Sequence, residues 1–291
     1  LYSILACFSF IFSQTVFAAV QLPKTGQTTC YDTAGAEISC AGTGQDGDMQ
    51  AGKTWPVSRF TNHGDGTITD NVTGLMWLSD LNCVAAHHPG FDADDVAADG
   101  AVTWQHALDF IAGMNSGAYP NCSGGYSDWV LPNINELVTL TDNDEADQSQ
   151  WLVANGFSNP AQYHYWSSTT HVQYPTNAWD ITLISGSVGY RPKTGSYYFI
   201  PVRTAGAGFV ETARTGQTLS HAPGDDGDLK RGAAWPVPRF VDNGNGTVSD
   251  MLTGLMWLED SNCFGDLSWQ ASLDAIAGFN SLPVSYGCSQ Y

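Results

Sequence analysis

Positive charge is the scarcest thing in this sequence. Ten Lys and Arg stand against 29 Asp and Glu, a formal net charge of −19. A surface of that sign repels phosphate, anionic lipid and sulfated polysaccharide, so bulk electrostatics oppose nucleic acid and membrane surfaces as partners. Lys230-Arg231 is the only adjacent basic pair. Reaction motifs are missing too. There is no Gly-x-Ser-x-Gly elbow, no His-Glu-x-x-His and no phosphate loop. No Cys-x-x-Cys occurs, which argues against zinc and thioredoxin-type chemistry. The seven histidines are scattered. The chain is therefore read as non-enzymatic. A 43% hydrophobic fraction with 31 glycines points to a folded, loop-rich protein.

What is present is a duplication. Residues 47–83 return as 227–263, with 21 of 37 positions identical at an offset of 180. Thr73-Gly74-Leu75-Met76-Trp77-Leu78 recurs letter for letter as Thr253 to Leu258. Self-similarity at a fixed period marks tandem copies of one module. The first copy is placed at 24–204. The second, 214–291, stops before the counterpart of Asp128, and the sequence reads as a fragment open at both ends. What both copies keep is expected to be scaffold.

Residues 1–18 are apolar and end in Val16-Phe17-Ala18, the pattern of a signal peptide and its cleavage site. The run is short for a bilayer crossing, so no transmembrane segment is expected. Cleavage after Ala18 removes Cys7 and leaves Cys30, Cys40, Cys83, Cys122, Cys263 and Cys288. An even count behind a signal implies disulfides in a secreted, periplasmic or cell-surface protein. The duplication sorts them. Cys263 and Cys288 match Cys83 and Cys122, so each pair is expected to bond. Lys24 to Thr28 recurs as Arg214 to Thr218 at an offset of 190, so one deletion removes Cys30 and Cys40 together. Joint loss is what a bonded pair would show.

Within the first copy, 59–78 reads as a hairpin turning at Asp65-Gly66, followed by the apolar strand 75–78. The second copy has Asn245-Gly246 at that turn, which implies a backbone requirement and no carboxylate requirement. Trp104, Ala107, Leu108 and Ile111 at i, i+3, i+4 and i+7 predict a helix over 104–114. Asn133 and Glu136 have capping-box spacing for a second short helix. Residues 84–101 are an insertion that the second copy lacks, and 141–165 reads as a long acidic loop. Strand-like segments follow at 165–169, 178–183 and 195–203, with Gly186 and Gly189 in the turn between the last two. Hairpin, two helices, loop and strands in that order imply an α+β fold with a mostly antiparallel sheet.

Three stretches in sequence carry a family resemblance: Phe60 to Asp70 with Thr73 to Trp77, then Asp128-Trp129-Val130-Leu131-Pro132 through Glu136-Leu137, then Tyr165-Trp166-Ser167-Ser168-Thr169. Together they resemble the Lcl C-terminal domain, the terminal module of a bacterial collagen-like adhesin. Val130 stands where that family usually has Arg. The resemblance implies extracellular attachment or ligand binding. Its Leu-Pro-x-x-x-Glu and Trp-Ser-Ser segments also look like those of C-type-lectin-like and formylglycine-enzyme-like folds, which implies a C-type-lectin-like core. The family's known carbohydrate binder favours sulfated glycans, a ligand class that the acidity of this chain opposes.

Site residues are expected in the parts that the second copy does not keep or reach, the 84–101 insertion and the 141–165 loop. Recurring Trp55, Trp77 and Trp104 are assigned to the core, and Trp151 is the tryptophan proposed to contact ligand. Asp142, Asp144, Glu145 and Asp147 form an oxygen-rich group of the kind calcium takes, as do Asp92, Asp94 and Asp95. Neither matches the EF-hand pattern, and a solvated acidic loop is the competing reading. Asp128 and Glu136 are read as structural carboxylates. The leading reading is a surface module that binds an extracellular glycan or surface protein without catalysis and without a required cofactor. A structural protein–protein module of the envelope and a formylglycine-generating-enzyme-like oxidase are the alternatives.

Overall fold

The computed structural model describes residues 19–91 and 99–281. The signal segment 1–18, Asp92, Asp94, Asp95 and Cys288 lie outside the described residues. The first elements are β1 (Cys30–Tyr31) and β2 (Glu37–Ile38), an antiparallel ribbon, then the single-turn helix α1 (Asp46–Met49). A disulfide joins Cys30 to Cys40 beside the ribbon. A meander follows: β3 (Phe60–Asn62), β4 (Thr67–Asp70) and β5 (Leu75–Leu78). Ile68 sits opposite Trp77 in its register. At the β3–β4 turn Asp65 Oδ1 accepts from the Thr67 amide at 3.0 Å and the Thr67 hydroxyl at 2.6 Å. Gly66 there has φ 91°, a conformation that a side chain disfavours.

Helices α2 (Cys83–His87), α3 (Trp104–Asn115), α4 (Ile134–Val138) and α5 (Gln148–Ala154) come next. The predicted apolar stripe of α3 is buried at Trp104, Ala107, Leu108 and Ile111. The capping box at α4 is complete, with Asn133 and Glu136 bonding each other's backbone amides. Cys83 and Cys122 are joined as the duplication implies. Helix α5 corrects the reading of 141–165 as one long loop. Its polar first turn hides it in the sequence, but Asp147 caps it and Leu152 is fully buried.

The second sheet is β6 (His164–Thr170), β7 (Asn177–Thr182) and β8 (Val188–Pro192), antiparallel and in that order. The hairpin is thus 177–192, and Gly189 lies inside a strand. Strand β9 (Val202–Thr204) adds to β5 and closes a four-stranded sheet, β3-β4-β5-β9. The expected strand at 195–203 is reduced to β9 plus single bridges at Tyr197 and Tyr198. Pro201, with no N–H to give a ladder, stands just before β9. Two apolar clusters fill the interior. One gathers α3 with Met76, Trp129, Leu131 and Trp166, the other the β4–β5 face with Leu137, Leu152, Tyr165 and Ile181.

The second repeat contributes α6 (Asp226–Leu229), the meander β10 (Phe240–Asp242), β11 (Thr247–Asp250) and β12 (Met256–Leu258), and α7 (Trp269–Ser281). Val248 faces Trp257 in the register that Ile68 and Trp77 keep. Asn245 Oδ1 accepts from Thr247 as Asp65 does from Thr67, so an amide serves as well as a carboxylate at this turn. Burial differs. Trp77 is 0% exposed and Trp257 55%; Trp104 is 3% and Trp269 52%. In the first repeat β9 and the β6–β8 layer cover these faces; among the described residues no strand pairs with the free edge of β12. The assignment of recurring tryptophans to the core therefore holds for Trp77 and Trp104, and not for Trp55, which is half-buried, or for the second-repeat counterparts.

Candidate functional site

Strand alternation puts Trp179 and Tyr190 on one face of the β7–β8 hairpin, directly opposite each other in register. Their rings meet edge-on with centroids 5.8 Å apart. The turn after β6 brings two more rings to that face. His171 lies 4.3 Å from Tyr190 and 4.8 Å from Trp179, and Tyr174 stacks on His171 at 5.2 Å. His171 Nδ1 accepts the Tyr174 amide at 3.1 Å, which holds the loop and leaves Nε2 to carry the proton of the neutral ring. His171 is buried beneath the group, Trp179 is half-buried, and Tyr174 (47%) and Tyr190 (41%) are exposed. Two exposed tyrosine rings over a half-buried tryptophan and a buried histidine present a linked aromatic surface to water.

The other face of the same hairpin is closed. Asp180 is fully buried, with Oδ1 2.8 Å from His164 Nδ1. Arg191 reaches His164 Nε2 at 3.0 Å, and its Nε lies 3.9 Å from Asp180 Oδ2. Burial pushes the Asp180 carboxyl up, against the pull of His164 and Arg191. Tyr163 and Tyr197 pack on His164 at 4.9 and 5.6 Å. This cluster brings no serine or cysteine nucleophile to the histidine, and it ties β6, β7 and β8 together.

The residues expected to bind ligand also make contacts within the fold. Asp144 accepts from both the Thr28 and Thr29 hydroxyls and from the Thr29 amide, pinning the segment before β1. Asp142 is buried and accepts the Asp144 amide at 3.0 Å, and burial raises its pKa. Asp147 caps α5 through Ser149 and Gln150 and accepts from Gln162. Glu145 is exposed, and its carbonyl accepts from Gln148. Trp151 is half-buried, edge-on to Phe60 at 5.6 Å, with the Arg59 guanidinium 4.9 Å away. Asp128 pairs with Arg203 at 2.6 Å, and Glu136 with Arg231 at 3.0 Å, the structural roles expected of both. His63 bonds Thr69 as Asn243 bonds Ser249, a further scaffold role.

Among the described residues one group places three metal-ligand atoms within 4.8 Å of one another, Asp80, Cys83 and His87. The Cys83 sulfur is in the disulfide with Cys122, so it offers no thiolate. The 84–101 insertion supplies packing on its described part: Val84 is buried and Phe91 lies 5.0 Å from Phe110. Sequence reading singles out neither Tyr174, Trp179 nor Tyr190. Their signal was the pairing of 179 with 190, which needs the position of β8 to be seen.

The described residues thus define a mixed α/β protein of small antiparallel sheets, with Cys30–Cys40 and Cys83–Cys122 as staples. Residues 66–203, from the β3–β4 turn to β9, match the model of the Lcl C-terminal domain. No curated protein matches the chain.

Proposed function

We propose that this chain is a non-catalytic binding module of a secreted or cell-surface protein, and that its ligand is a neutral glycan stacked on the His171–Tyr174–Trp179–Tyr190 face. The observation that carries the reading is that linked aromatic face, where Tyr174 and Tyr190 are exposed and Trp179 is half-buried. Sugar C–H groups pack on aromatic faces while hydroxyls reach the polar tips of Tyr and His. A charge of −19 favours a neutral polymer over a sulfated one. The match of residues 66–203 to the Lcl C-terminal domain supports an adhesion-related, extracellular role. The disulfides fit an oxidising compartment. No described helix is long and apolar enough to cross a membrane.

A C-type-lectin-like core in 24–204, followed by a second module from 214, is supported by the Trp-Ser-Ser strand inside the β6–β8 sheet and by the repeated meander register. Repeated modules would raise avidity for a repetitive ligand. The oxidase alternative needs a free thiol. Against it, Cys30, Cys40, Cys83, Cys122 and Cys263 are all disulfide-bonded. The protein–protein reading draws on one observation, the exposure of the large apolar side chains Met256, Trp257 and Trp269.

A glycan array with and without calcium, followed by tryptophan-fluorescence titration, tests the proposal. A neutral oligosaccharide is expected to bind, and Trp179→Ala or Tyr190→Ala to weaken it at least tenfold with the far-ultraviolet spectrum unchanged. Stable self-association with no glycan signal would favour the protein–protein reading.

A further inference from the structure

The two repeats embrace each other. The Val20 amide donates to the Leu252 carbonyl at 2.7 Å, and the Val210 amide donates to the Val72 carbonyl at 2.9 Å. Val20 and Val210 are equivalent at the 190 offset, Val72 and Leu252 at the 180 offset. The segment leading into each repeat therefore bonds the meander of the other, a pseudo-twofold exchange. Between them lies a cavity of about 440 Å³, floored by Val138 and Thr139 at the end of α4. Trp55 and Trp235 line it from the two repeats. Each indole donates to the backbone of its own repeat's leading segment at 2.9 Å.

The charge of the cavity runs against that of the chain. Of the ten Lys and Arg in the sequence, Lys24, Arg59, Arg214 and Arg239 line this one space, where Glu211 is the single acidic lining residue. Arg59 and Arg239 are paired with Asp70 and Asp250. Lys24 and Arg214 have no carboxylate partner among the described residues. Lys24 Nζ donates to the Gln50 amide oxygen at 3.1 Å, and Arg214 Nε to the Gly232 carbonyl at 3.2 Å. The Arg59 side chain is 8% exposed, and its Nε donor has no acceptor. A buried N–H without an acceptor is a position a ligand oxygen would satisfy.

We infer that the junction cavity is a binding site for a carboxylate amphiphile, with its head at the Lys24–Arg214 pair and its apolar body against Val20, Val72, Val138 and the two tryptophans. The volume falls in the range of small-molecule sites, and mostly apolar walls with a few placed polar groups are their usual make-up. This site is separate from the aromatic face of the β7–β8 hairpin and does not depend on it.

The test is calorimetric titration of the whole chain with decanoate, with decanol as the uncharged control. Saturable binding of one decanoate per chain is expected. Lys24→Gln with Arg214→Gln should weaken decanoate at least tenfold and leave decanol within twofold. Val138→Trp should abolish binding of both, and Trp179→Ala should change neither. Circular dichroism on each variant separates loss of the site from loss of the fold, and Val210→Phe is a second filling variant if Val138→Trp does not fold. No saturable binding by the native chain, or binding that both the charge pair and a folded filling variant leave untouched, would overturn the inference.

Discussion

Asp144 shows how a carboxylate in an acidic loop can belong to the fold. Burial raises its pKa, but the hydrogen bonds from Thr28 and Thr29 outweigh this and hold it at about 2. A carboxyl depressed on folding contributes stability above its unfolded value and loses it as pH falls through the folded one. The window here is pH 4 to 2. Asp144→Asn is expected to cost about 1 kcal/mol at pH 7, since the carboxylate is only half-buried and solvent screens it. It should also flatten the acid limb of stability across that window, as read by urea denaturation at stepped pH. An unchanged limb would mean that the Thr28 and Thr29 bonds do not form in solution. The Asp65 and Asn245 pair makes the complementary point: the duplication in the sequence showed that no charge is needed at that turn, and the structure gives the reason in two matching Asx hydrogen bonds.

At the scale of elements, the same strand is core in one repeat and surface in the other. Trp77 in β5 is covered by β9 and the second sheet, whereas Trp257 in β12 stands half in water. Trp77→Ala is expected to cost about 3–5 kcal/mol, the range for emptying a large aromatic site. Trp257→Ala should cost about 1 kcal/mol or less, because little burial is lost. Chemical denaturation of the two variants checks this, and equal losses would show that Trp257 is buried in solution by some partner. Elements also set how much was legible. Helix α3, the β3–β5 meander and the α4 cap were readable because their signals are local: a 3.6-residue stripe, an Asx-Gly turn, a capping box. Helix α5 and strand β8 were not. The stripe of α5 is a single turn of Trp151 and Leu152 behind polar residues. The alternation in β8 is interrupted by Gly189 and ends at Pro192.

At the scale of the whole molecule, the repeats are fastened by a buried charge. Glu136, at the cap of α4, is 1% exposed and meets Arg231 from beyond α6. Burial raises the Glu136 pKa, and Arg231 opposes that rise. A carboxyl raised on folding is favourable to the fold at low pH and becomes a burden as pH climbs through its folded value. Arg231→Ala removes the opposing charge. It is therefore expected to cost about 3–5 kcal/mol at pH 7 and clearly less at pH 4, where Glu136 is protonated. Equal losses at the two pH values would place the pair in water. Asn133 and Asn135 donate to the Arg231 and Ala213 carbonyls, and Gln217 exchanges two bonds with Thr170, so polar contacts add to the ion pair at this end of the junction.

By itself the sequence determined what is local or repeated: the disulfide pairs Cys30–Cys40 and Cys83–Cys122, the turn chemistry, the α3 stripe, and the family match of 66–203. Each is a matter of spacing along one stretch or of matching two stretches. Only the tertiary structure decided where the four aromatic rings converge, that Asp142, Asp144 and Asp147 are tied up in hydrogen bonds, and that four of ten basic side chains share a cavity between the repeats. Those depend on contacts between residues tens to nearly two hundred positions apart. No periodicity records such contacts, because they are made by packing.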